Sequence, residues 1–303
     1  MALVTAGKQG RSGRREIRWI GTRRAFIVLG MVDAEIIGYY EHGLERDRLA
    51  SGRQRIEFLR IWDLLERFLP TPPARLLDVG GGAGVYALPL AAAGHEVHLI
   101  DPVPLHVEQA VAASRDAGTP LASVAAGDAR DLGAVGDAFD AVLLLGPLYH
   151  LTSREDRVTA LREAGRVLRP GGIVMAKALS RFYPVFEELA GGMPFSPEGL
   201  DGTAAFLADG QYRNPGGDPA YFTTSFFHRP EDLANEIRDA GLDLRRLVAA
   251  SGSVKLLPGL SEHLDVPEQR DHVLSVLRLL EAEPSLLGMS QNFLAIAHAP
   301  AGN

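Results

Sequence analysis

The clearest functional signal in the sequence is a cluster of glycines that lies between two acidic residues. Four of the five residues in 80–84 are glycine, and they follow an apolar run that leads into Asp78. Such a density of glycine suits a backbone that adopts unusual dihedral angles or comes very close to a ligand. About 20 residues further on, a second apolar run ends at Asp101, where a carboxylate in an open α/β sheet accepts hydrogen bonds from both hydroxyls of a ribose. The pattern predicts a site for a nucleoside-bearing cofactor.

Residues 74–101 must supply the elements that position these groups. Their pattern indicates a strand that leads into the glycine turn, a helix over 85–93 and a second buried strand over 97–100. The free N–H groups at the start of that helix face the turn, which favours a polar or anionic group there. The segment therefore predicts a doubly wound α/β sheet.

Two cofactor classes compete for this turn. Gly82, Gly84 and Ala87 fit the dinucleotide fingerprint G-x-G-x-x-A, which alone is a weak indication. Asp78 is unexpected in a dinucleotide enzyme, because that loop meets a pyrophosphate. An acid is better suited to the ammonium and sulfonium side of S-adenosylmethionine.

Three motifs carry a resemblance to a known family. The stretch DVGGGAG at 78–84 resembles motif I of the class I S-adenosylmethionine-dependent methyltransferases. FDAVLLL at 139–145 resembles the family's fourth strand, and LRPGG at 168–172 resembles the turn before its fifth. The resemblance covers residues 74–180 and is closest to the type 11/25 small-molecule methyltransferases. It implies a mostly parallel, seven-stranded, Rossmann-like sheet with a helical or irregular cap, and S-adenosyl-L-homocysteine as the product.

The resemblance also implies a set of cofactor-binding residues. Asp128 matches an acid that accepts a hydrogen bond from the adenine amino group, although Asp at this position is also a good helix N-cap. Tyr39 and Tyr40 are candidates for a lid over the cofactor, with ordinary packing as the alternative. The expected cofactor-binding residues are Tyr39, Asp78, Gly80, Gly82, Gly84, Asp101, Pro102, Asp128, Ala129, Leu145 and Gly146.

Candidate catalytic residues follow the fourth strand, in GPLYHL at 146–151. This stretch is not the [DN]-P-P-[YF] motif of amino methylation, which disfavours that class of methyltransferase. His150 is a candidate general base, because a neutral imidazole takes a proton near pH 7; a structural histidine is the alternative. Tyr149 is the second candidate, and His228 in the aromatic segment beyond the core is the third.

Composition excludes several classes. A chain of 303 residues without cysteine has no disulfide framework, thiolate metal site or cysteine nucleophile. A pI near 5.7 disfavours general nucleic-acid binding. The nine histidines lack ligand spacing, so no metal is expected. No apolar run has the length of a membrane span, and we expect a cytoplasmic protein that is a monomer or a homodimer.

The chain divides into five expected segments. Residues 1–30 carry a net charge of +6, which leaves −13 on the rest, and they predict a poorly ordered tail or, less favoured, an arm that touches RNA or membrane. The others are a helical lid at 31–73, the cofactor core at 74–180, a cap at 181–228 that contributes to the substrate pocket, and the end of the sheet at 229–303. An inserted helical stretch at 251–291 separates the last two predicted strands and makes a simple hairpin doubtful. Arg48 and Arg60 of the lid segment are possible partners for the cofactor carboxylate.

The sequence thus predicts SN2 methyl transfer from S-adenosylmethionine to O, N or C of a small, partly apolar acceptor. RNA or protein methylation and a non-catalytic S-adenosylmethionine-binding module stay open as alternatives. An NAD(P)-dependent oxidoreductase is the least favoured, because no Y-x-x-x-K pair is present.

Overall fold

The computed structural model describes residues 34–41, 49, 51–191, 196, 198–214 and 222–301. The predicted tail at 1–30 and Arg48 of the lid lie outside the described residues.

Seven strands of the described chain form one sheet. They are β1 (Arg75–Val79), β2 (Glu96–Asp101), β3 (Ser123–Ala126), β4 (Phe139–Leu144), β5 (Leu168–Leu179), β8 (Asp243–Ala249) and β9 (Asn292–His298), while β6 (Gln211–Tyr212) and β7 (Ser225–Phe226) pair separately. The sheet order is β3-β2-β1-β4-β5-β9-β8. Neighbours among β1–β5 are parallel, and β9 is antiparallel to both β5 and β8. The predicted mostly parallel, doubly wound sheet is confirmed.

Helices cover both faces of this sheet. The helices are α1 (Ala34–Glu41), α2 (Arg55–Phe68), α3 (Ala87–Ala92), α4 (Pro104–Asp116), α5 (Arg154–Val167), α6 (Tyr183–Leu189), α7 (Gly199–Asp209), α8 (Pro230–Asp239), α9 (Leu260–Asp265) and α10 (Pro267–Leu280). Short 3₁₀ turns occur at Gly52–Gln54, Pro147–Tyr149, Val254–Leu256 and Pro284–Met289.

The core consists of two apolar layers, one on each face of the sheet. Successive strand residues point to opposite faces, so Leu76 joins the layer of α2, α3 and α4 while Leu77 joins that of α5 and α8. Because parallel strands are buried on both faces, β1 and β4 are apolar except for Arg75, Asp78 and Asp140. A carboxylate at 78 is therefore costly to the core unless a ligand uses it.

The connection between the last two strands is the main departure from a minimal fold. Strands β8 and β9 lie side by side, but residues 250–291 intervene and form α9, α10 and two 3₁₀ turns. Buried Arg60 of α2 joins this insertion, donating to Glu281 Oε2 at 2.8 Å and to the carbonyl of Ala250 at 2.9 Å. Arg60 is thus a structural residue of the insertion, and its predicted role toward the cofactor carboxylate is wrong.

Helix α1 is attached to the cap by one acid. Glu35 accepts hydrogen bonds from the hydroxyls of Thr223 and Thr224 and, at 2.9 Å, from the Thr224 backbone N–H. Helix α1 and the described part of the cap therefore lie together over the sheet.

Local details differ from the sequence expectations at two places. The sequence SREDR at 153–157 predicts a capping box in which Ser153 caps α5, but the Ser153 side chain makes no capping hydrogen bond, and Asp156 accepts from Arg130. The cap contains, besides two helices, the β6–β7 pair, whose two-residue strands are too short to show periodicity.

Candidate cofactor and acceptor site

A cavity of about 330 Å³ opens at the carboxyl ends of β1, β2 and β4, where open α/β sheets bind ligands. Its volume lies in the range of small-molecule sites. Residues of the glycine turn, of the loops after β2, β3 and β4, of α1 and of β5 line it.

The glycine turn needs glycine at two positions for different reasons. Gly80 has φ +67°, and a Cβ there would lie 2.8 Å from Cγ of Pro147, so the turn touches the loop after β4. Gly82 has φ +57° and would direct a Cβ into open space. The chain therefore keeps its backbone bare at a wall of the cavity, where a ligand can approach it closely.

Asp78 is a buried acid with an incomplete set of partners. It is 1% exposed, and its Oδ2 has no hydrogen-bond partner among the described residues. Burial, with the charge of Asp101 adding to it, raises the pKa of Asp78 to about 7. A cation in the cavity would supply the missing partner, so this acid fits the ammonium group of S-adenosylmethionine.

Asp101 anchors the turn as well as facing the cavity. Its Oδ2 accepts the Gly82 N–H at 2.8 Å, and its Oδ1 lies 2.9 Å from the Val103 N–H and 3.0 Å from His106 Nδ1. A carboxylate offers about four acceptor positions, so three are used within the chain. The prediction that Asp101 accepts both ribose hydroxyls therefore requires His106 to turn away.

Asp128 is paired with a residue that the sequence did not indicate. The Arg130 guanidinium donates to both carboxylate oxygens, at 3.0 and 2.7 Å, and continues to Asp156 at 3.0 Å. The backbone N–H of Arg130 also donates to Asp128 Oδ1 at 2.8 Å. The acid is thus held in one orientation beside the cavity, and helix capping is not its function.

Aromatic rings surround His150 where it lines the cavity. Its Nε2 lies 2.7 Å from the hydroxyl of Tyr40 on α1, and its ring centroid is 4.5 Å from that of Tyr149 and 6.0 Å from that of Phe222. Burial and the positive charge of Lys177 lower the pKa of His150 to about 3. A general base needs a pKa near the working pH. His150 therefore lines the cavity as a neutral ring, and its lowered pKa disfavours the general-base hypothesis.

His228 lies away from the cavity. It is fully buried, with Nε2 3.1 Å from Glu236 Oε2, and Arg157 donates to the same carboxylate at 2.8 Å. Arg157 also donates to the carbonyls of Leu151 and Thr152, which line the cavity. The predicted catalytic role of His228 is therefore corrected to a structural one, and Glu236 and Arg157 separate it from the residues that line the cavity.

The other predicted residues fall into two groups, those that line the cavity and those that do not. Those that line the cavity are Asp78, Gly80, Gly82, Asp101, Pro102, Asp128, Ala129, Leu145, Gly146, Tyr149 and His150. Tyr39 does not line it; the adjacent Tyr40 does, and Tyr39 packs against Tyr40 and Phe222. Gly84 is also absent from the lining, since its φ of +91° and the nearby Leu88 explain it as a residue of the turn itself. Residues that the sequence did not indicate as part of the site are His106, Arg130 and Lys177.

The described residues contain no group of three or more side chains that could hold a metal ion. None of their helices combines the length and apolarity that a membrane crossing requires.

Comparison with known proteins agrees with this geometry. Residues 76–172 match the family model described as a methyltransferase domain. The ubiquinone biosynthesis O-methyltransferase of Azorhizobium caulinodans is 33% identical over 112 residues, which cover 37% of this chain and 43% of that protein. The enzyme of the same name from Cereibacter sphaeroides strain ATCC 17025 is 28% identical over 179 residues, 58% of this chain and 62% of that protein. The chain thus spans about half the length of these relatives.

Solved structures share the fold. A SAM-dependent methyltransferase of Methanosarcina mazei superposes with a TM-score of 0.54 at 16% identity, covering 79% of this chain and 98% of that one. The sheet order, the glycine turn and the acids at the ends of β1 and β2 define a class I methyltransferase core. With the family match over residues 76–172, this part of the chain is a methyltransferase domain with the class I core, and S-adenosylmethionine is the cofactor of this class.

Proposed function

We propose that the protein transfers a methyl group from S-adenosylmethionine to a hydroxyl oxygen of a small, partly apolar molecule. The observation that carries this proposal is one cavity lined by two unlike groups of residues. One group, which we call the cofactor end, is Asp78, Asp101 and Asp128, and the other, which we call the acceptor end, is the rings of Tyr40, Tyr149 and His150. The names of the curated relatives, which are O-methyltransferases, favour oxygen as the methylated atom.

The chain's own residues would hold the cofactor by charge and by hydrogen bonds. In this proposal Asp78 binds the ammonium group, Asp101 a ribose hydroxyl, and Asp128, oriented by Arg130, the adenine amino group. Bound S-adenosylmethionine supplies an activated methyl group on a sulfonium. The electrostatic attraction of a buried carboxylate to a cation is stronger than that of an exposed carboxylate, because the protein interior screens charge weakly.

Positioning is the main catalytic task left to the protein. Holding two reactants in line corresponds to effective molarities on the order of 10⁵ M or more, about 7 kcal/mol of barrier. Helix α1 serves this task by placing Ile36 and Tyr40 over the cavity, where they exclude water. The Tyr40–His150 hydrogen bond joins that helix to the loop after β4.

The proposal also covers the partners, the location and the oligomeric state of the protein. We propose a small-molecule acceptor and no nucleic-acid partner, with a cytoplasmic monomer or homodimer as the working form. The net charge of −7 supports the exclusion of nucleic acid.

Methyl transfer tests the proposal directly. The protein is incubated with methyl-labelled S-adenosylmethionine and a panel of small phenols, alcohols, amines and carbon acids, and the label is followed into product by mass spectrometry. We expect transfer to at least one hydroxyl compound, with S-adenosylhomocysteine formed in equal amount. Tight cofactor binding without transfer to any member of the panel would support a non-catalytic binding module instead.

A further inference from the structure

A buried lysine lies at the acceptor end of the cavity. Lys177, on β5, lines the cavity although it is only 4% exposed. Its Nζ donates to Glu57 Oε1 of α2 at 2.8 Å and lies 5.8 Å from the centroid of the Tyr149 ring. An ammonium group in so little water retains strong electrostatic influence over its surroundings. The lowered pKa of His150 is one visible effect of this charge.

Lys177 differs in position from the other permanent cation of the lining. Among the described lining residues, the permanently charged cations are Arg130 and Lys177. Arg130 pairs with Asp128 and Asp156 at the expected adenine end. Lys177 is the cation beside Tyr149 and His150, where the acceptor is proposed to bind.

Strand register separates Lys177 from the expected position of the cofactor's amino-acid group. Asp78 on β1 is level with Leu143 on β4, which is level with Met175 on β5. Lys177 is two residues beyond Met175, so its Cα and that of Asp78 are about 12 Å apart across two strand spacings.

The Asp78 carboxylate also turns away from β5. A Cβ on Gly81 would lie 2.7 Å from Asp78 Oδ2 and 2.8 Å from Leu99 Cδ1, which places the carboxylate toward β2. The ammonium and carboxylate of an amino acid share one carbon atom. This offset favours a ligand other than the cofactor's amino-acid group as the partner of Lys177.

The ionisation of His150 restricts the chemistry of that ligand. A ring with a pKa of about 3, hydrogen-bonded to Tyr40, is too weak a base to remove a proton from an ordinary alcohol. The acceptor must then lose its proton without a strong base in the site. A hydroxyl on a conjugated ring or an enol is acidic enough to do so, and a flat ring fits between aromatic side chains.

From these contacts we propose that Lys177 is a catalytic residue that binds the acceptor as the oxyanion of an acidic, conjugated hydroxyl, a phenol or an enol. The inference rests on the proposed function and adds a substrate class to it. The hydroxyl proton leaves to solvent when the anion binds. The oxygen then forms a bond to the methyl carbon while the carbon–sulfur bond breaks with its electron pair on sulfur, which yields an ether and a neutral thioether. Glu57 positions the ammonium group.

The test is the ionisation of a coloured phenol in the site. The probe is 4-nitrophenol, which ionises near neutral pH and whose anion absorbs visible light. It is titrated with excess protein across a pH series, with and without S-adenosylhomocysteine. A cation close to an oxyanion lowers the oxygen acid's pKa by about one unit or more. We expect the ionisation constant of the bound probe to rise about 10-fold or more.

Variants separate the charge of Lys177 from the stability of the fold. Lys177→Met alone leaves Glu57 as a buried unpaired charge, which endangers folding, so the main variant is Glu57→Gln with Lys177→Met. We expect the bound probe to ionise in it no more readily than free 4-nitrophenol, and Lys177→Arg to restore the effect. Lys255→Met is the matched control, because Lys255 is 1% exposed but does not line the cavity. A probe that fails to bind, or that ionises equally in wild type and the double variant, would overturn the inference.

A second arm assigns the source of the anion. Calorimetry compares S-adenosylhomocysteine with 5′-methylthioadenosine, which lacks the amino-acid group, on wild type and the double variant. If the double variant binds S-adenosylhomocysteine as tightly as wild type does, the result supports the acceptor role of Lys177. If the double variant loses affinity for S-adenosylhomocysteine but not for 5′-methylthioadenosine, the result assigns Lys177 to the cofactor carboxylate and overturns the inference. The same titration keeps the two proposals apart. Failure of wild type to bind S-adenosylhomocysteine contradicts the proposed function, whereas normal binding with an unperturbed probe contradicts only the role of Lys177.

Discussion

Replacement of Asp78 by Asn should stabilise the protein without ligand and weaken its binding of cofactor. The folded-state pKa of Asp78 is about 7, raised from 3.8 by burial and by Asp101. The folded protein therefore retains a proton that the unfolded chain releases between these pH values. Stability falls as pH rises through this window and stays low above it. At pH 8 the cost is about 4 kcal/mol, because one pKa unit corresponds to 1.36 kcal/mol.

Asn carries no charge, so Asp78→Asn removes this cost. We expect the variant's advantage in unfolding free energy to grow by about 2–3 kcal/mol between pH 5 and pH 8. The change in this advantage with pH reports the charge of Asp78, because any other effect of the amide group on the unfolding free energy is the same at both pH values. Urea unfolding at the two pH values, followed by tryptophan fluorescence, measures it. Asp243→Asn is the control, since Asp243 is an exposed acid paired with Arg245 on the surface.

Cofactor binding should change in the opposite direction. Loss of a charge-assisted bond to the ammonium group is expected to weaken S-adenosylhomocysteine binding about 10- to 100-fold at pH 8. In wild type, affinity should rise with pH up to about 7, as Asp78 loses its proton. A variant that shows no pH-dependent gain in stability, or that binds S-adenosylhomocysteine as well as wild type, would refute the idea that Asp78 awaits a cation.

Three further substitutions test other parts of the site. Gly80→Ala places a methyl group 2.8 Å from Pro147 Cγ at a φ of +67°, so calorimetry should show at least a 10-fold loss of S-adenosylhomocysteine affinity. The control Gly118→Ala, whose added methyl group has no atom within 4 Å, should bind S-adenosylhomocysteine as wild type does. Glu236→Gln leaves buried Arg157 without its carboxylate, so the free energy of unfolding in urea should fall by about 3–5 kcal/mol. The surface control Asp239→Asn should lower it by under about 1 kcal/mol. Equal losses of unfolding free energy in the two variants would contradict the structural role of the His228 cluster. Tyr40→Phe removes the 2.7 Å hydrogen bond to His150 and should cost about 1 kcal/mol and speed limited proteolysis in α1; unchanged cleavage would mean that this bond does not hold the helix.

The cofactor end of the site was predictable because its residues are close in sequence. Asp78, Gly80 and Gly82 stand in one turn, and Asp101 ends the next strand, so local pattern and the rules of open sheets place them together. The mostly parallel, doubly wound sheet followed from the same motifs. The doubt about a simple hairpin is explained by the insertion that separates β8 from β9, although the two strands are adjacent.

The acceptor end was not predictable in the same way. Lys177 and Glu57 meet across 120 positions, and Tyr40 and His150 across 110. No local pattern carries such contacts. In α1, one helix of eight residues, adjacent side chains diverge by about 100°, and the sequence does not say which of Tyr39 and Tyr40 turns to the cavity. His228 has the residue type of a catalytic group, but its burial against Glu236 depends on how the cap folds onto α8.

The cavity at the ends of β1, β2 and β4 should bind the nucleoside cofactor of a methyltransferase. Calorimetric titration of the full chain with S-adenosylhomocysteine tests it most directly, with NADH as the competing ligand and Asp101→Ala as the site variant. We predict micromolar binding of S-adenosylhomocysteine that weakens in the variant, and no binding of NADH. Binding of NADH in place of S-adenosylhomocysteine would contradict the account and assign the glycine turn to a dehydrogenase.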